Sequence, residues 1–95
     1  MENKLCRAEI TASGLVQGVG FRYFVLQHAK MLNLNGYVKN LYTGEVLTVV
    51  EGEKYKIDVL FVKIKTGPSY SRVTKVTIDW EEYKNEFKTF DVRYS

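Results

Sequence analysis

A chain of 95 residues is too short for two independently stable cores, so its length predicts one domain over residues 1–95. The hydrophobic fraction of 45% and the charged fraction of 26% are ordinary for a globular protein and exclude a disordered or collagen-like chain. The net charge of +3 is mild and forms no basic stripe, so it suits a small anionic substrate better than a nucleic acid.

The cysteine and histidine content argues against disulfides and metal sites. Cys6 is the single cysteine, so no intrachain disulfide can form, and no His/Cys cluster has the spacing of metal ligands. A lone thiol is typical of a reducing compartment. No apolar run has the length of a signal peptide or a membrane span. We therefore expect a cytoplasmic protein that uses no metal or cofactor and binds no membrane.

The first half of the chain predicts a strand, a glycine-rich loop and a helix. Apolar and polar residues alternate over residues 5–12, which indicates a strand with one buried face. The loop that follows has three glycines in seven positions, at Gly14, Gly18 and Gly20. Helical spacing then places one apolar face at Phe21, Phe24, Val25, His28 and Leu32. Asn33 or Asn35 is expected to end this helix before Gly36.

The second half predicts four more strands and a second helix. Strands are expected at residues 37–41 and 45–51, joined by a turn, with Gly52 ending the second of them. The β-branched residues that follow favour a strand by propensity, but their spacing is helical, at Ile57, Leu60, Phe61 and Ile64. We predict a helix that ends at Gly67-Pro68. Alternation predicts the last two strands, at Val76, Ile78 and Trp80 and at Phe90, Val92 and Tyr94.

This order of elements predicts the fold class. Strand, helix, strand, strand, helix, strand is the βαββαβ pattern of a ferredoxin-like α+β sandwich. In that fold two helices pack on one face of a mainly antiparallel sheet. The short C-terminal strand would be added to this core.

The segment from Gly14 to Arg22 is predicted to be a phosphate cradle at the head of the first helix. Glycines before a helix leave backbone N–H groups unpaired, and the helix N-terminus adds a partial positive charge. Arg22 lies in the first turn, where its planar guanidinium can bind two phosphate oxygens. An arginine is otherwise unfavourable at this end of a helix. The alternative is a plain strand-to-helix turn with a surface arginine.

Two nucleotide-binding motifs are excluded for this loop. No Gly-Lys-Ser/Thr follows the glycines, as a Walker-type loop requires, and a dinucleotide fingerprint would need a glycine at Tyr23. Triphosphates and nicotinamide cofactors therefore do not fit the loop.

Two stretches of the chain resemble the signatures of the acylphosphatase family. Residues 14–22 read Gly-Leu-Val-Gln-Gly-Val-Gly-Phe-Arg and resemble the first signature. Residues 36–40 read Gly-Tyr-Val-Lys-Asn and resemble the second, with Gly44, Val46 and Gly52 at the family's spacing. The resemblance runs from about Cys6 to Val92. Departures such as Asn33, where the family often has glycine, do not touch the expected site residues.

The resemblance implies an enzyme that hydrolyses the carboxyl–phosphate bond of small-molecule acyl phosphates. The products would be a carboxylate and inorganic phosphate, without metal, cofactor or covalent intermediate. By the same resemblance, Arg22 binds the phosphoryl group and Asn40 positions the attacking water. The expected substrate-binding residues are Val16, Gln17, Gly18, Val19, Gly20 and Phe21. We expect a monomer.

Other polar residues are expected to have no catalytic role. His28 lies two turns into the helix and is expected to be a packing residue, and Cys6 a small core residue. Ser13 lacks the partners of a catalytic triad. Lys39 is expected to face away from Asn40, because successive strand residues point to opposite faces. The acidic residues Glu81, Glu82 and Glu86 are expected to form a solvated loop.

Two alternative functions remain open at the level of sequence. One is a non-catalytic module on the same fold, such as an RNA-recognition domain or a sensor of a phosphorylated ligand. RNA readers of this type place aromatic residues on central strands, and residues 45–51 contain none. The other is a fragment of a larger maturation enzyme with an acylphosphatase-like domain.

Overall fold

The structure is a computed structural model that describes residues 4–94. It contains five strands and two helices. In chain order they are β1 (Leu5–Leu15), α1 (Phe21–Met31), β2 (Asn35–Asn40), β3 (Val46–Glu53), α2 (Lys54–Thr66), β4 (Arg72–Glu81) and β5 (Phe90–Arg93).

The strands form one sheet in the order β4-β1-β3-β2-β5. β5 runs parallel to β2, and the other neighbours pair antiparallel. α1 packs on β2, β3 and β5, α2 packs on β1, β3 and β4, and the two helices contact each other. Both helices therefore cover the same face, and the predicted ferredoxin-like sandwich with an added C-terminal strand is confirmed.

The core lies between the sheet and the two helices. Alternate residues of β1, including Ala8 and Ile10, are fully buried beneath the helices. The ambiguous segment is helical, as its spacing predicts, because Ile57, Leu60 and Ile64 form one buried face of α2. Burial of that face outweighs the strand propensity of the β-branched residues, which is only a weak preference.

Two glycines lie in strands where the sequence predicts a loop or a strand end. Gly14 belongs to β1 and pairs with Val73 beside a bulge, so it is not part of the phosphate cradle. Its φ is +118°, and a Cβ there would lie 2.2 Å from the Arg72 carbonyl oxygen. Gly52 does not end β3, because the strand continues to Glu53. These glycines serve close packing between neighbouring segments rather than turns.

The prediction of a solvated acidic loop is wrong for Glu81, which lies in β4, whereas Glu82 and Glu86 are exposed in the loop after that strand, as expected. Arg7, on the sheet face away from the helices, binds Glu86 at 2.6 Å, Glu81 at 3.1 Å and the buried Glu51 at 3.4 Å. These four residues, called here the Arg7 cluster, hold the segment after β4 against the sheet. The pairing is missed from sequence because more than 70 residues separate Arg7 from Glu81 and Glu86.

Within residues 4–94, neither helix has the length and apolar character needed to cross a membrane.

Candidate active site

The loop of residues 16–20 joins β1 to α1 and is shaped by two glycines. Gly18 and Gly20 have φ values of 74° and 78°, a left-handed conformation that other residues adopt only with strain. Gly20 is the N-cap of α1 and makes no side-chain capping bond, and no acidic residue lies in the first turn. The N–H groups at this end of α1 are thus left for an anion, next to the positive end of the helix dipole.

The side chain of Gln17 ties this loop to the turn between β2 and β3. Its Nε2 donates to the carbonyl oxygens of Leu41 at 2.7 Å and Glu45 at 2.9 Å. The turn follows Asn40 directly, so these bonds fix the loop relative to the end of β2. Gln17 therefore supports the turn through these hydrogen bonds, a role that the expectation of substrate binding does not include.

A small cavity of about 90 Å³ lies between the loop, the start of α1 and the ends of β2 and β5. We call it the phosphate cavity. Its lining residues are Val16, Gly18, Gly20, Phe21, Arg22, Tyr23, Asn40, Val92 and Tyr94. The fold thus brings Arg22 and Asn40 together although 18 positions separate them in sequence.

Arg22 has an aromatic neighbour and no acidic one in the described part of the chain. Its Cζ lies 4.7 Å from the centre of the Tyr94 ring, a cation–π distance. Between residues 4 and 94, no carboxylate lies within ion-pair distance of its guanidinium. The positive charge is therefore available to a ligand.

Asn40 presents a polar atom that the protein leaves unsatisfied. Its Oδ1 is buried and has no hydrogen-bond partner among the described residues. Such orphaned acceptors are rare in native proteins, because each costs about 1–3 kcal/mol. The oxygen belongs to a residue that lines the phosphate cavity, so a donor bound there could satisfy it.

The predicted site residues fall into two groups, those that line the phosphate cavity and those that do not. Four expected binding residues line the phosphate cavity together with Arg22 and Asn40; they are Val16, Gly18, Gly20 and Phe21. Gln17 and Val19 do not line it: Gln17 holds the turn, and Val19 is partly buried against the core.

Sequence reasoning missed Tyr94 as a member of the site. The parallel pairing of β5 with β2 brings the carboxyl ends of both strands to one edge of the sheet, beside the loop. Tyr94 follows β5 there, as Asn40 ends β2. Periodicity predicts that a strand exists but not which strand it pairs with, so the sequence carried no direct signal.

His28 lies outside the phosphate cavity, as expected. Its ring is 4.5 Å from that of Phe24 on the same helix. Burial, together with the charge of Lys63, lowers the pKa of His28. Ser13 donates to a Glu45 carboxylate oxygen at 3.2 Å. Neither residue is placed to act on a ligand beside Arg22.

The fold is a ferredoxin-like sandwich with a small cavity, lined by Arg22 and Asn40, at one edge of its sheet. A sequence model of the acylphosphatase family matches residues 8–92. The acylphosphatase of Geobacter sulfurreducens is 47% identical over 88 residues, which cover 93% of this chain and 97% of that protein.

Solved structures agree with the match. The crystal structure of the Bacillus subtilis acylphosphatase has a TM-score of 0.90 and 33% identity, covering 96% of this chain and all of that one. The HypF protein of T. kodakarensis has a TM-score of 0.81 and 32% identity, covering 94% of this chain and 12% of its own. The chain belongs to the acylphosphatase family. It is a hydrolase of acyl phosphates, with inorganic phosphate as a product.

Proposed function

We propose that Arg22 and the backbone N–H groups of residues 16–20 hold the phosphoryl group of the substrate, and that Asn40 orients the attacking water. One observation carries this assignment. Among the described residues, the Oδ1 of Asn40 has no hydrogen-bond partner and the guanidinium of Arg22 has no carboxylate partner, and the two residues line the same cavity.

The phosphate cavity has the size and charge for a phosphoryl group. Its volume of about 90 Å³ equals roughly three water molecules, taking about 30 Å³ for each in the liquid. The guanidinium fork of Arg22 can donate to two phosphate oxygens, and the N–H groups at the start of α1 can donate to others. These donors stabilise the charge of a loose, phosphate-centred transition state.

Asn40 contributes position rather than proton transfer. A carboxamide is not a base at neutral pH, but its oxygen accepts a hydrogen bond from water. That bond leaves a lone pair of the water free to attack phosphorus. Holding the two reactants in place supplies much of the rate enhancement in reactions of this kind.

The reaction needs no further catalytic group. The leaving group is a carboxylate, which departs without a general acid because it is a weak base. The proton of the attacking water can pass to a phosphate oxygen of the substrate itself. We accordingly propose direct hydrolysis without a metal ion, a cofactor or a covalent intermediate.

Benzoyl phosphate hydrolysis tests the assignment. We expect Arg22→Ala and Asn40→Ala to lose nearly all activity while retaining the circular dichroism spectrum of the native fold. Matched controls are Lys30→Ala and Gln27→Ala, which remove a cation and an amide from exposed positions of α1. Both controls should keep full activity. Full activity in either site variant would overturn the assignment.

We further propose that the chain works as one domain over residues 1–95, as a monomer in the cytoplasm. The free thiol of Cys6, buried in the core, supports a reducing location. Size-exclusion chromatography with light scattering should give the mass of a single chain, 11.0 kDa. A concentration-independent dimer would contradict the monomer, and recovery from the membrane fraction or the culture medium would contradict the location.

A further inference from the structure

A second and larger cavity opens beside the phosphate cavity. Its volume is about 440 Å³, and we call it the adjoining cavity. It is lined by Gln17, Lys39, Asn40, Leu41, Tyr42 and Tyr94. Asn40 and Tyr94 line both cavities, so the two spaces meet at the residue to which we assign the water.

Among the described residues that line the adjoining cavity, Lys39 is the one charged residue. In the described part of the chain Lys39 has no carboxylate within ion-pair distance. The nearby Glu45 carboxylate accepts hydrogen bonds from Ser13 and Thr43 instead. Arg93, the register partner of Lys39 on β5, stacks on the Tyr37 ring at 3.7 Å. The free positive charge in this cavity is therefore that of Lys39.

Strand alternation alone predicts that Lys39 faces away from the site. Lys39 is indeed absent from the phosphate cavity. However, it lies one residue before the end of β2, and the adjoining cavity lies where that strand ends. Residues from both faces of the sheet can line a space at a strand end.

An acyl phosphate has two parts that must be bound at the same time. With the phosphoryl group at Arg22, as proposed above, the acyl group must extend out of the small phosphate cavity. The adjoining cavity shares two lining residues with it. The cavity around Ser13 and Lys75 shares none with the phosphate cavity. The adjoining cavity is thus the space into which the acyl group can extend directly.

We propose that the adjoining cavity is the acyl subsite and that Lys39 makes it select acyl groups carrying a second anionic group. Tyr42 and Tyr94 supply aromatic walls for the carbon chain. The ammonium of Lys39 attracts a distal carboxylate or phosphate. The proposal rests on the phosphoryl position assigned to Arg22 and adds a substrate class to it.

Two acyl phosphates of equal chain length test this selection. Hexanoyl phosphate ends in a methyl group, and the monophosphate of adipic acid ends in a carboxylate. We expect kcat/KM for adipoyl phosphate, divided by kcat/KM for hexanoyl phosphate, to fall about threefold to fivefold in Lys39→Gln, the range of a partly exposed ion pair. Lys39→Glu should lower this ratio further. Lys39→Arg should preserve it, and the exposed control Lys30→Gln should leave it unchanged.

The outcomes separate this proposal from the proposed function. If Arg22→Ala abolishes hydrolysis of both substrates while Lys39→Gln and Lys39→Glu leave the ratio unchanged, the acyl subsite is wrong and the phosphoryl site stands. If Arg22→Ala keeps full activity, the phosphoryl site is wrong, and the acyl subsite falls with it. A ratio that falls equally in Lys30→Gln would also overturn the role of Lys39, because it would reflect net charge alone.

Discussion

Tyr94 contacts Arg22 and also lines both cavities of the site. We infer that the cation–π contact restrains the guanidinium beside the phosphate cavity, which makes Tyr94 a positioning residue in the proposed mechanism. We predict that Tyr94→Ala lowers kcat/KM for benzoyl phosphate about fivefold, the equivalent of one such contact. Tyr94→Phe should restore most of the rate, because the ring remains. Equal losses in both variants would show that the hydroxyl, not the stacking, matters.

The pH–rate profile distinguishes the proposed mechanism from one that uses a titrating side chain. The carboxamide of Asn40 has no proton that titrates in the neutral range, and the proposed mechanism uses no side chain as an acid or base. We therefore predict a flat profile of kcat across that range. A limb that appears in the native enzyme and disappears in His28→Gln would contradict this prediction. It would give a catalytic role to a histidine that packs against Phe24.

At the scale of elements, the site depends on how closely β2 approaches β3. Gly36 pairs with Val50, and a Cβ at Gly36 would lie 1.9 Å from the Val49 carbonyl oxygen. Gly44, in the turn that Gln17 binds, also has a positive φ, but a Cβ there would meet nothing within 4 Å. A side chain at Gly44 would therefore meet backbone strain alone, whereas a side chain at Gly36 would meet both backbone strain and steric overlap.

Substitution of these glycines should give unequal losses of stability. Gly44→Ala is expected to cost about 1–3 kcal/mol through its left-handed backbone alone. Gly36→Ala should cost about 1–3 kcal/mol more, because the methyl group must also displace β3. Chemical denaturation measures both free energies of unfolding. Equal losses would contradict the close approach of the two strands at Gly36.

For the molecule as a whole, the Arg7 cluster should make stability depend on pH. Burial opposes ionisation of Glu51, but backbone N–H groups of Lys84 and Glu86 and the Arg7 side chain outweigh it and lower the pKa of Glu51. The folded state thus binds fewer protons than the unfolded state at acid pH. Ionised Glu51 stabilises the fold above its ordinary pKa of 4.5. That stability is lost as the pH falls through the lowered value.

Removing the Glu51 charge should weaken this acid dependence. We predict that Glu51→Gln loses about 1–3 kcal/mol of stability at pH 7. Its free energy of unfolding should also change less than that of the native protein between pH 6 and about pH 3. The exposed control Glu82→Gln should change neither quantity. An unaltered pH dependence in Glu51→Gln would contradict the role of the cluster.

Local features of this molecule could be predicted from the sequence, whereas long-range ones could not. Asn33, one of two candidate helix ends, lies two residues after the end of α1 and has a φ of 56°, a conformation that asparagine tolerates. Arg22 and Asn40 lie in short sequence motifs, so both could be predicted from the sequence as candidate site residues. The contacts of Gln17 with the turn and of Tyr94 with Arg22 depend on tertiary pairing. Spacing along the chain does not encode such pairing.

The central claim is that Arg22 binds the phosphoryl group and Asn40 positions the attacking water. One steady-state experiment tests it. Hydrolysis of benzoyl phosphate by folded Asn40→Ala, with inorganic phosphate as a competitive inhibitor, measures turnover and phosphate binding together. We predict that kcat falls by about a hundredfold or more, because the water loses its position, while the inhibition constant of phosphate stays close to the native value. Retained turnover, or parallel loss of turnover and phosphate binding, would contradict the claim.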